Sequence, residues 1–271
     1  MKTLKALLKK LTNKPQDWAS GALARYPFIE AHERYHLQRV AHDFLDKTGG
    51  EVFAGPLAGM KIPRETPLAD LPMYVIGCYE QEIHPILCEV ICSPPPRFID
   101  IGSAYGYYTV GLALQTNGME AIGFEAEERP HWEKARALAE CNGLAGRITQ
   151  RGFCDPDSLK EVAGPGDFIM CDCEGGEVQL LDPLKIPVLA QCRILCEVHD
   201  FHAPGATACL IERFRKTHEI TLLTEQGRNP SQYRILAGLT PAYQELSVLE
   251  TRHIGKRIVT ARFLDFKPLP I

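Results

Sequence analysis

The stretch that decides the fold is Phe98-Ile99-Asp100-Ile101-Gly102-Ser103-Ala104-Tyr105-Gly106. Its first four residues, apolar apart from Asp100, predict a buried strand, and residues 107–114 have a helical apolar pattern. Small residues in the turn between them let a ligand approach the backbone, and free N–H groups at a helix N-terminus attract an anionic group. The stretch therefore predicts a cofactor-binding loop, with a tight strand-to-helix turn that binds nothing as the alternative.

A second strand pattern, at 120–124, ends next to an acidic residue. Glu125 follows it, 25 positions after Asp100, where a carboxylate can accept hydrogen bonds from both ribose hydroxyls of a cofactor. Asp100 lies two residues before the first glycine and would suit a cofactor that carries an ammonium group, whereas it would repel a pyrophosphate. The residues thus favour S-adenosylmethionine, and an NAD-type Rossmann oxidoreductase is the alternative.

Short apolar runs alternate with helical patterns along the rest of the chain. This alternation predicts an α/β fold: a Rossmann-like, doubly wound, mostly parallel seven-stranded sheet with a mainly helical N-terminal cap region. Thr240-Pro241 is expected to open one more helix. The predicted strands are 98–101, 120–124, 147–150, 168–171, 193–198, 220–223 and 259–266.

The N-terminal part has a different pattern. A helix-favouring run at 17–47 ends at Gly49-Gly50, a second helix is predicted at 80–91, and Pro94-Pro95-Pro96 is a stiff break. We therefore expect a cap region at 1–94 and an S-adenosylmethionine-binding domain at 95–271. Residues 1–11 have leucines on one helical face and lysines elsewhere, which predicts a short amphipathic helix packed on protein in preference to a membrane.

Composition excludes several classes of protein. The 271 residues are 45% hydrophobic and 24% charged with a net charge of -4, so we expect a globular protein without a nucleic-acid partner. No signal peptide or membrane-spanning stretch is evident, which predicts a cytoplasmic protein without stable membrane insertion; a homodimer is left open. The ten cysteines lie in apolar runs such as Ile86-Leu87-Cys88 and form no Cys-x-x-Cys pair, which predicts buried, reduced thiols.

Four ordered motifs resemble those of class I S-adenosylmethionine-dependent methyltransferases, and most closely those of the FkbM family. The resemblance covers about 96–200, with Ala104 where many methyltransferases have glycine. It implies that Asp100 and the loop 102–106 hold the methionine end and that a sugar, glycolipid or natural-product hydroxyl is methylated. The motifs are Asp100-Ile101-Gly102-Ser103-Ala104-Tyr105-Gly106-Tyr107-Tyr108-Thr109, Gly123-Phe124-Glu125-Ala126, Asp172-Cys173-Glu174-Gly175-Gly176-Glu177 and Ile194-Leu195-Cys196-Glu197-Val198-His199.

The resemblance also implies an adenosine site. Glu125, with Ala126 beside it, would hold the ribose, and the turn Gly152-Phe153-Cys154-Asp155 would flank the adenine. Asp155 could accept a hydrogen bond from the adenine amino group. It could equally cap a helix, since Pro156 follows it.

Polar residues at the ends of the fourth and fifth strands are the candidates for chemistry. We choose His199 as the general base, with Asp172 and Asp200 as the other catalytic candidates, because imidazole titrates near neutral pH and a carboxylate can orient it. A histidine that is merely hydrogen-bonded at a strand end is the alternative. Asp172, Glu197 and His199 could also hold a divalent cation such as Mg²⁺, although carboxylates near a sulfonium have an electrostatic purpose without metal.

Two further hypotheses belong to other classes. His32-Glu33-Arg34-Tyr35-His36 matches the pattern of zinc peptidases, but the charged Arg34 and the lack of a third ligand at a recognised spacing favour a solvated helix face. A protein that binds the cofactor and methylates nothing would keep the same loop, because a fold does not determine a function.

Overall fold

A seven-stranded sheet forms the centre of the computed structural model, which describes residues 27–225, 227–249, 252–254, 257–259 and 262–270. The strands are β1 (Arg97–Ile101), β2 (Glu120–Phe124), β3 (Ile148–Arg151), β4 (Phe168–Cys171), β5 (Arg193–Glu197), β6 (His218–Thr224), β7 (Arg252–Ile254), β8 (Arg257–Val259) and β9 (Arg262–Pro268). Their order in the sheet is β3-β2-β1-β4-β5-β9-β6, and β7 and β8 pair separately. β9 is antiparallel to β5 and β6, and the pairs among β1 to β5 are parallel.

This order confirms the predicted Rossmann-like α/β fold with a mostly parallel sheet. The strand order reverses between β1 and β4, and ligands of such sheets bind in the crevice beyond the carboxyl ends of the strands at that point. The loops that leave β1 and β4 contact each other there, since Asp172 N donates to Ile101 O at 2.8 Å. The predicted strand at 259–266 is displaced: Val259 ends β8, and the sheet strand is β9.

Helices cover both faces of the sheet. They are α1 (Pro27–Thr48), α2 (Pro72–Ile76), α3 (His84–Cys92), α4 (Tyr107–Gln115), α5 (Glu128–Cys141), α6 (Pro156–Val162), α7 (Glu177–Leu180), α8 (Ala206–Phe214) and α9 (Pro241–Ser247). Successive strand residues point to opposite faces, so Phe98 and Phe168 belong to one apolar core while Ile99 and Ile169 belong to the other. Among the helices described, none combines the length and apolar character needed to cross a membrane.

The described part of the cap region is mainly helical, as predicted. Its α1 contributes Phe44 and Leu45 to the same apolar core as Phe98 and Val110, so this core continues across the proline break. The helix predicted at 80–91 begins only at His84, because Pro85 has no N–H and fits only the first turn of a helix. The amphipathic segment 1–11 and the start of the run at 17–47 lie outside the described residues.

The expectation of uniformly buried thiols is wrong for part of the set. All ten cysteines are free, but Cys88, Cys92 and Cys141 are exposed. Cys88 and Cys92 are four residues apart on α3 and share its solvent side, whereas Leu87 and Val90 face the core. Apolar neighbours in the sequence therefore do not show whether a cysteine on a helix faces the core or the solvent.

Candidate active site

The glycine turn after β1 is packed directly against the chain that leaves β4. Gly102 has a φ of +85°, and a Cβ there would lie 1.7 Å from the backbone oxygen of Asp172. Gly102 N and Ser103 N both donate to Phe124 O at 2.9 Å, which ties the turn to β2. Glycine is therefore required at 102 for two reasons, since an L side chain would be strained at this φ and would collide with backbone.

A cavity of about 650 Å³ opens beside this turn. Of the predicted cofactor residues, Gly102, Ala104, Glu125, Ala126, Asp155 and Asp172 line it. The other lining residues are Ile101, Phe124, Glu127, His131, Phe153, Cys154, Pro156, Cys173, Glu174, Gly176, Gln179 and Leu180.

Asp100 lies beneath the loop. Its buried carboxylate accepts a hydrogen bond from Thr109 Oγ1 at 2.5 Å, so it braces the first turns of α4. Burial raises the pKa of Asp100 to about 7, against the effect of the Thr109 bond. The direct contact with an ammonium group that we expected for Asp100 stays a prediction, as do the cofactor contacts of Ser103, Tyr105 and Gly106.

Glu125 is held at the cavity wall by backbone groups. Its Oε2 accepts from Ala104 N and its Oε1 from Glu127 N, both at 2.8 Å. The carboxylate is therefore fixed beside the loop, as a ribose-binding acid would have to be.

Asp155 caps α6. Its Oδ1 accepts from Ser158 N at 2.7 Å and from Ser158 Oγ at 2.6 Å, the helix-cap alternative that the sequence left open. Because Asp155 also lines the cavity, the cap itself places this carboxylate on the cavity wall.

Carboxylates surround one imidazole, that of His199, beside the cavity. His199, 4% exposed, has its Nδ1 2.6 Å from Oε1 of the buried Glu177. Its Nε2 lies 3.5 Å from Asp172 Oδ1, 3.6 Å from Glu174 Oε2 and 3.8 Å from Glu197 Oε1. Asp172 and Glu174 also line the cavity, so Nε2 faces the group of acids that borders it.

The acids change the protonation of His199. Burial lowers the pKa of this imidazole, but its hydrogen bond to Glu177 and the charges of Asp172 and Glu197 outweigh burial and raise the pKa from 6.5 to about 9. Burial opposes the ionisation of Glu177, yet its bond with His199 leaves the pKa of Glu177 below its ordinary value. Glu177 and His199 therefore form a buried ion pair.

Asp200, the third predicted catalytic residue, lies just after β5. Its carboxylate accepts from Thr207 N at 3.1 Å and from Thr207 Oγ1 at 2.5 Å, and it lies 3.7 Å from Arg262 Nη1. These contacts hold the start of α8, and a catalytic role for Asp200 stays a prediction.

One group of described residues has the spacing of metal ligands. Single ligand atoms of Asp172, Glu174 and His199 lie within 4.8 Å of one another. The sequence-based set had Glu197 where this group has Glu174. The two sets differ in one acid because the chain at Glu174, with a φ of +52°, turns back toward the imidazole after β4.

Comparisons with known proteins assign no family to the chain. No family model matches the chain, and no curated protein matches it. An O-methyltransferase from Bacillus cereus, solved with SAH, is 19% identical, with 66% of this chain and 78% of that chain covered and a TM-score of 0.42. A putative O-methyltransferase from Klebsiella pneumoniae is 13% identical, with 93% of this chain and 99% of that chain covered and a TM-score of 0.44. The METTL16 methyltransferase domain is 18% identical, with 77% of this chain and 89% of that chain covered and a TM-score of 0.47.

These neighbours are methyltransferases. At such identities, and with TM-scores below 0.5, these likenesses carry no argument, so activity has to be argued from this chain's own site. The resemblance to the FkbM family stays a prediction.

Glu177 is the site residue that sequence reasoning undervalued. The sequence predicted that a carboxylate orients the imidazole and gave Asp172 and Asp200 as the other catalytic candidates. Glu177 does so from 22 positions away, and Gly175 N donates to its Oε1 at 2.9 Å. The available signal was the pair of glycines before it, which allows the chain to turn the acid back toward β5.

Removing the charge of Glu177 should make His199 less basic. In an NMR titration of the free protein, with the His199 signal identified by its absence in His199→Asn, we expect a midpoint near pH 9. In Glu177→Gln the midpoint should fall toward 6.5, because the amide no longer stabilises the imidazolium. Glu161→Gln, a change in a surface carboxylate on α6, is the control and should leave the midpoint unchanged. Equal midpoints in wild type and Glu177→Gln would contradict the pairing.

Proposed function

We propose that the chain is an S-adenosylmethionine-dependent methyltransferase that methylates a hydroxyl group of a sugar, glycolipid or natural product. One observation carries the choice of cofactor: the described lining of the cavity has five carboxylates, those of Glu125, Glu127, Asp155, Asp172 and Glu174, and no lysine or arginine. A sulfonium and an ammonium are attracted by such a wall. The pyrophosphate of NAD would be repelled by it, which disfavours the oxidoreductase alternative.

The shape of the site supports the same cofactor. Gly102 and Ala104 line the cavity with small residues, so a ligand can touch the loop, and the fixed carboxylate of Glu125 suits a ribose. We assign the loop 102–106 with Asp172 to the methionine end, Glu125 to the ribose, and Ala126 and Asp155 to the adenine side. When bound, S-adenosylmethionine supplies an electrophilic methyl group.

The residues of this chain would then act on the acceptor. Glu177 holds Nδ1 of His199, which leaves Nε2 to take the proton of an acceptor hydroxyl at the rim formed by Asp172 and Glu174. A cation bound near Asp172 would lower the pKa of His199 by like-charge repulsion, so the imidazole becomes a free base when the site is loaded. Alignment of acceptor and methyl group contributes up to about 7–11 kcal/mol.

The cap region contributes to the acceptor side in this proposal. Tyr108, in the first turn of α4, donates to Glu80 Oε2 at 2.6 Å, and Arg228 Nε donates to Cys78 O at 2.8 Å. The segment 78–80 is thus fixed between the start of α4 and the loop after β6. We propose a small-molecule or glycan acceptor bound there, in a cytoplasmic protein.

The reaction is tested with labelled cofactor. Protein and S-adenosylmethionine with a labelled methyl group should transfer label to neutral polyhydroxylated acceptors, giving a methyl ether that survives mild alkali. Heat-inactivated protein is the control. Label found in alkali-labile esters or in amines would contradict O-methylation, and cofactor binding without transfer to any acceptor would favour the non-catalytic alternative.

Treatment with a chelator distinguishes two roles of His199, general base and ligand of a metal ion. Asp172, Glu174 and His199 fit a hard divalent cation such as Mg²⁺, which would orient a diol and make its hydroxyl more acidic. The pairing of His199 with Glu177 supplies a base without metal, so we expect methyl transfer to stay within about twofold after EDTA treatment and dialysis. A loss that added Mg²⁺ restores would overturn the base and assign the group to a cation.

A further inference from the structure

His131 lies on the cavity wall between two carboxylates. Its Nδ1 is 3.5 Å from Glu125 Oε1 and its Nε2 is 3.6 Å from Glu127 Oε2. The ring of Tyr105 packs edgewise on it with the ring centres 4.5 Å apart. One side of the imidazole therefore rests on the loop, and the other contacts the acid that we assign to the ribose.

Nδ1 of His131 is buried and forms no hydrogen bond of normal geometry with any group in the described part of the chain. A buried polar atom left in this state needs a physical explanation. Nδ1 lies 3.5 Å from Oε1 of Glu125, an oxygen that already accepts from Glu127 N, while Oε2 accepts from Ala104 N. Contacts of this kind tighten when a ligand binds.

We propose that His131 is a positioning residue for ribose recognition: it holds Oε1 of Glu125, the oxygen to which Glu127 N also donates. This inference rests on the proposed function, because it needs Glu125 to bind the ribose hydroxyls. Both oxygens of the carboxylate are then fixed, and a ligand that lacks a hydroxyl leaves one lone pair of this buried acid without a donor. Sites built in this way reject deoxy analogues strongly.

The test combines variants of His131 with changes in the ligand. Calorimetry would compare S-adenosylhomocysteine with its 2′-deoxy and 3′-deoxy analogues on wild type and on His131→Phe, which keeps a ring against Tyr105. We expect wild type to lose at least about tenfold in affinity for each deoxy analogue. In His131→Phe, affinity for S-adenosylhomocysteine should fall about tenfold while the deoxy penalty shrinks to less than about threefold.

Two further variants separate positioning from structure. His131→Asn can still donate to Glu125 and should restore most of the affinity and of the deoxy penalty. Glu133→Gln, an exposed change on the same helix, is the control and should match wild type. Equal losses for all three ligands in His131→Phe would overturn the positioning role alone. No binding of S-adenosylhomocysteine by wild type would instead overturn the proposed function.

Discussion

Replacing Gly102 with alanine should abolish measurable binding of S-adenosylhomocysteine, with a loss of at least about 100-fold. The added Cβ would stand 1.7 Å from Asp172 O and 2.8 Å from Asp172 C, and backbone atoms cannot turn aside as a flexible side chain can. The loop after β1 must therefore move away from the loop after β4, and the cavity wall moves with it. Overpacking together with the positive φ should also lower the free energy of unfolding by about 2–4 kcal/mol.

Gly118 provides a control that shares the positive φ of Gly102 but not the steric collision with backbone. Gly118 has a φ of +82°, and a Cβ there would meet nothing within 4 Å. Gly118→Ala should thus cost only about 1 kcal/mol of stability and leave ligand affinity unchanged. Calorimetric titration and chemical unfolding of both variants provide the measurements. Affinity within threefold of wild type in Gly102→Ala would mean that the ligand does not bind at this loop.

Replacing His199 with asparagine should reduce methyl transfer about 100-fold or more while affinity for S-adenosylhomocysteine changes less than about threefold. A base acts on the acceptor proton, so its loss affects the chemical step and not the binding of the cofactor. His42→Asn, which alters a surface pair with Asp70 far along the chain from the site, is the matched control and should keep full activity.

The His199→Asn experiment needs a control for folding, because this change removes the partner of the fully buried carboxylate of Glu177. The double variant Glu177→Gln/His199→Asn replaces the ion pair by two neutral groups that can hydrogen-bond, so it should fold at least as well as the single variant. Its methyl transfer should be as low as that of His199→Asn. Activity within tenfold of wild type in either folded variant would contradict the base.

The sheet and the loop could be predicted because their signals are local. Alternation along Phe98–Ile101 and the glycines after it depend on neighbours in sequence, and the structure places them as expected. The partner of His199 could not be predicted in this way. It depends on the turn through Glu174 and Gly175, both at positive φ, which brings Glu177 back across 22 positions.

Other residues show the same limit. Asp100 and Asp200 each contact a threonine in the first turn of a helix, a contact that the sequence did not indicate, and their predicted roles stay predictions. The sequence shows which residues could serve a site, whereas the direction of each side chain depends on packing between distant segments. His131 was overlooked for a different reason: it lies only six positions after Glu125, but no motif of the sequence includes it.

The identity of the cofactor is the central claim, and one calorimetric titration tests it most directly. The purified protein would be titrated with S-adenosylhomocysteine and, separately, with NAD at the same concentration and pH. We predict saturable binding of S-adenosylhomocysteine at one site per chain and no heat from NAD, because five carboxylates and no lysine or arginine line the described cavity. Binding of NAD, or no binding of S-adenosylhomocysteine, would contradict the account.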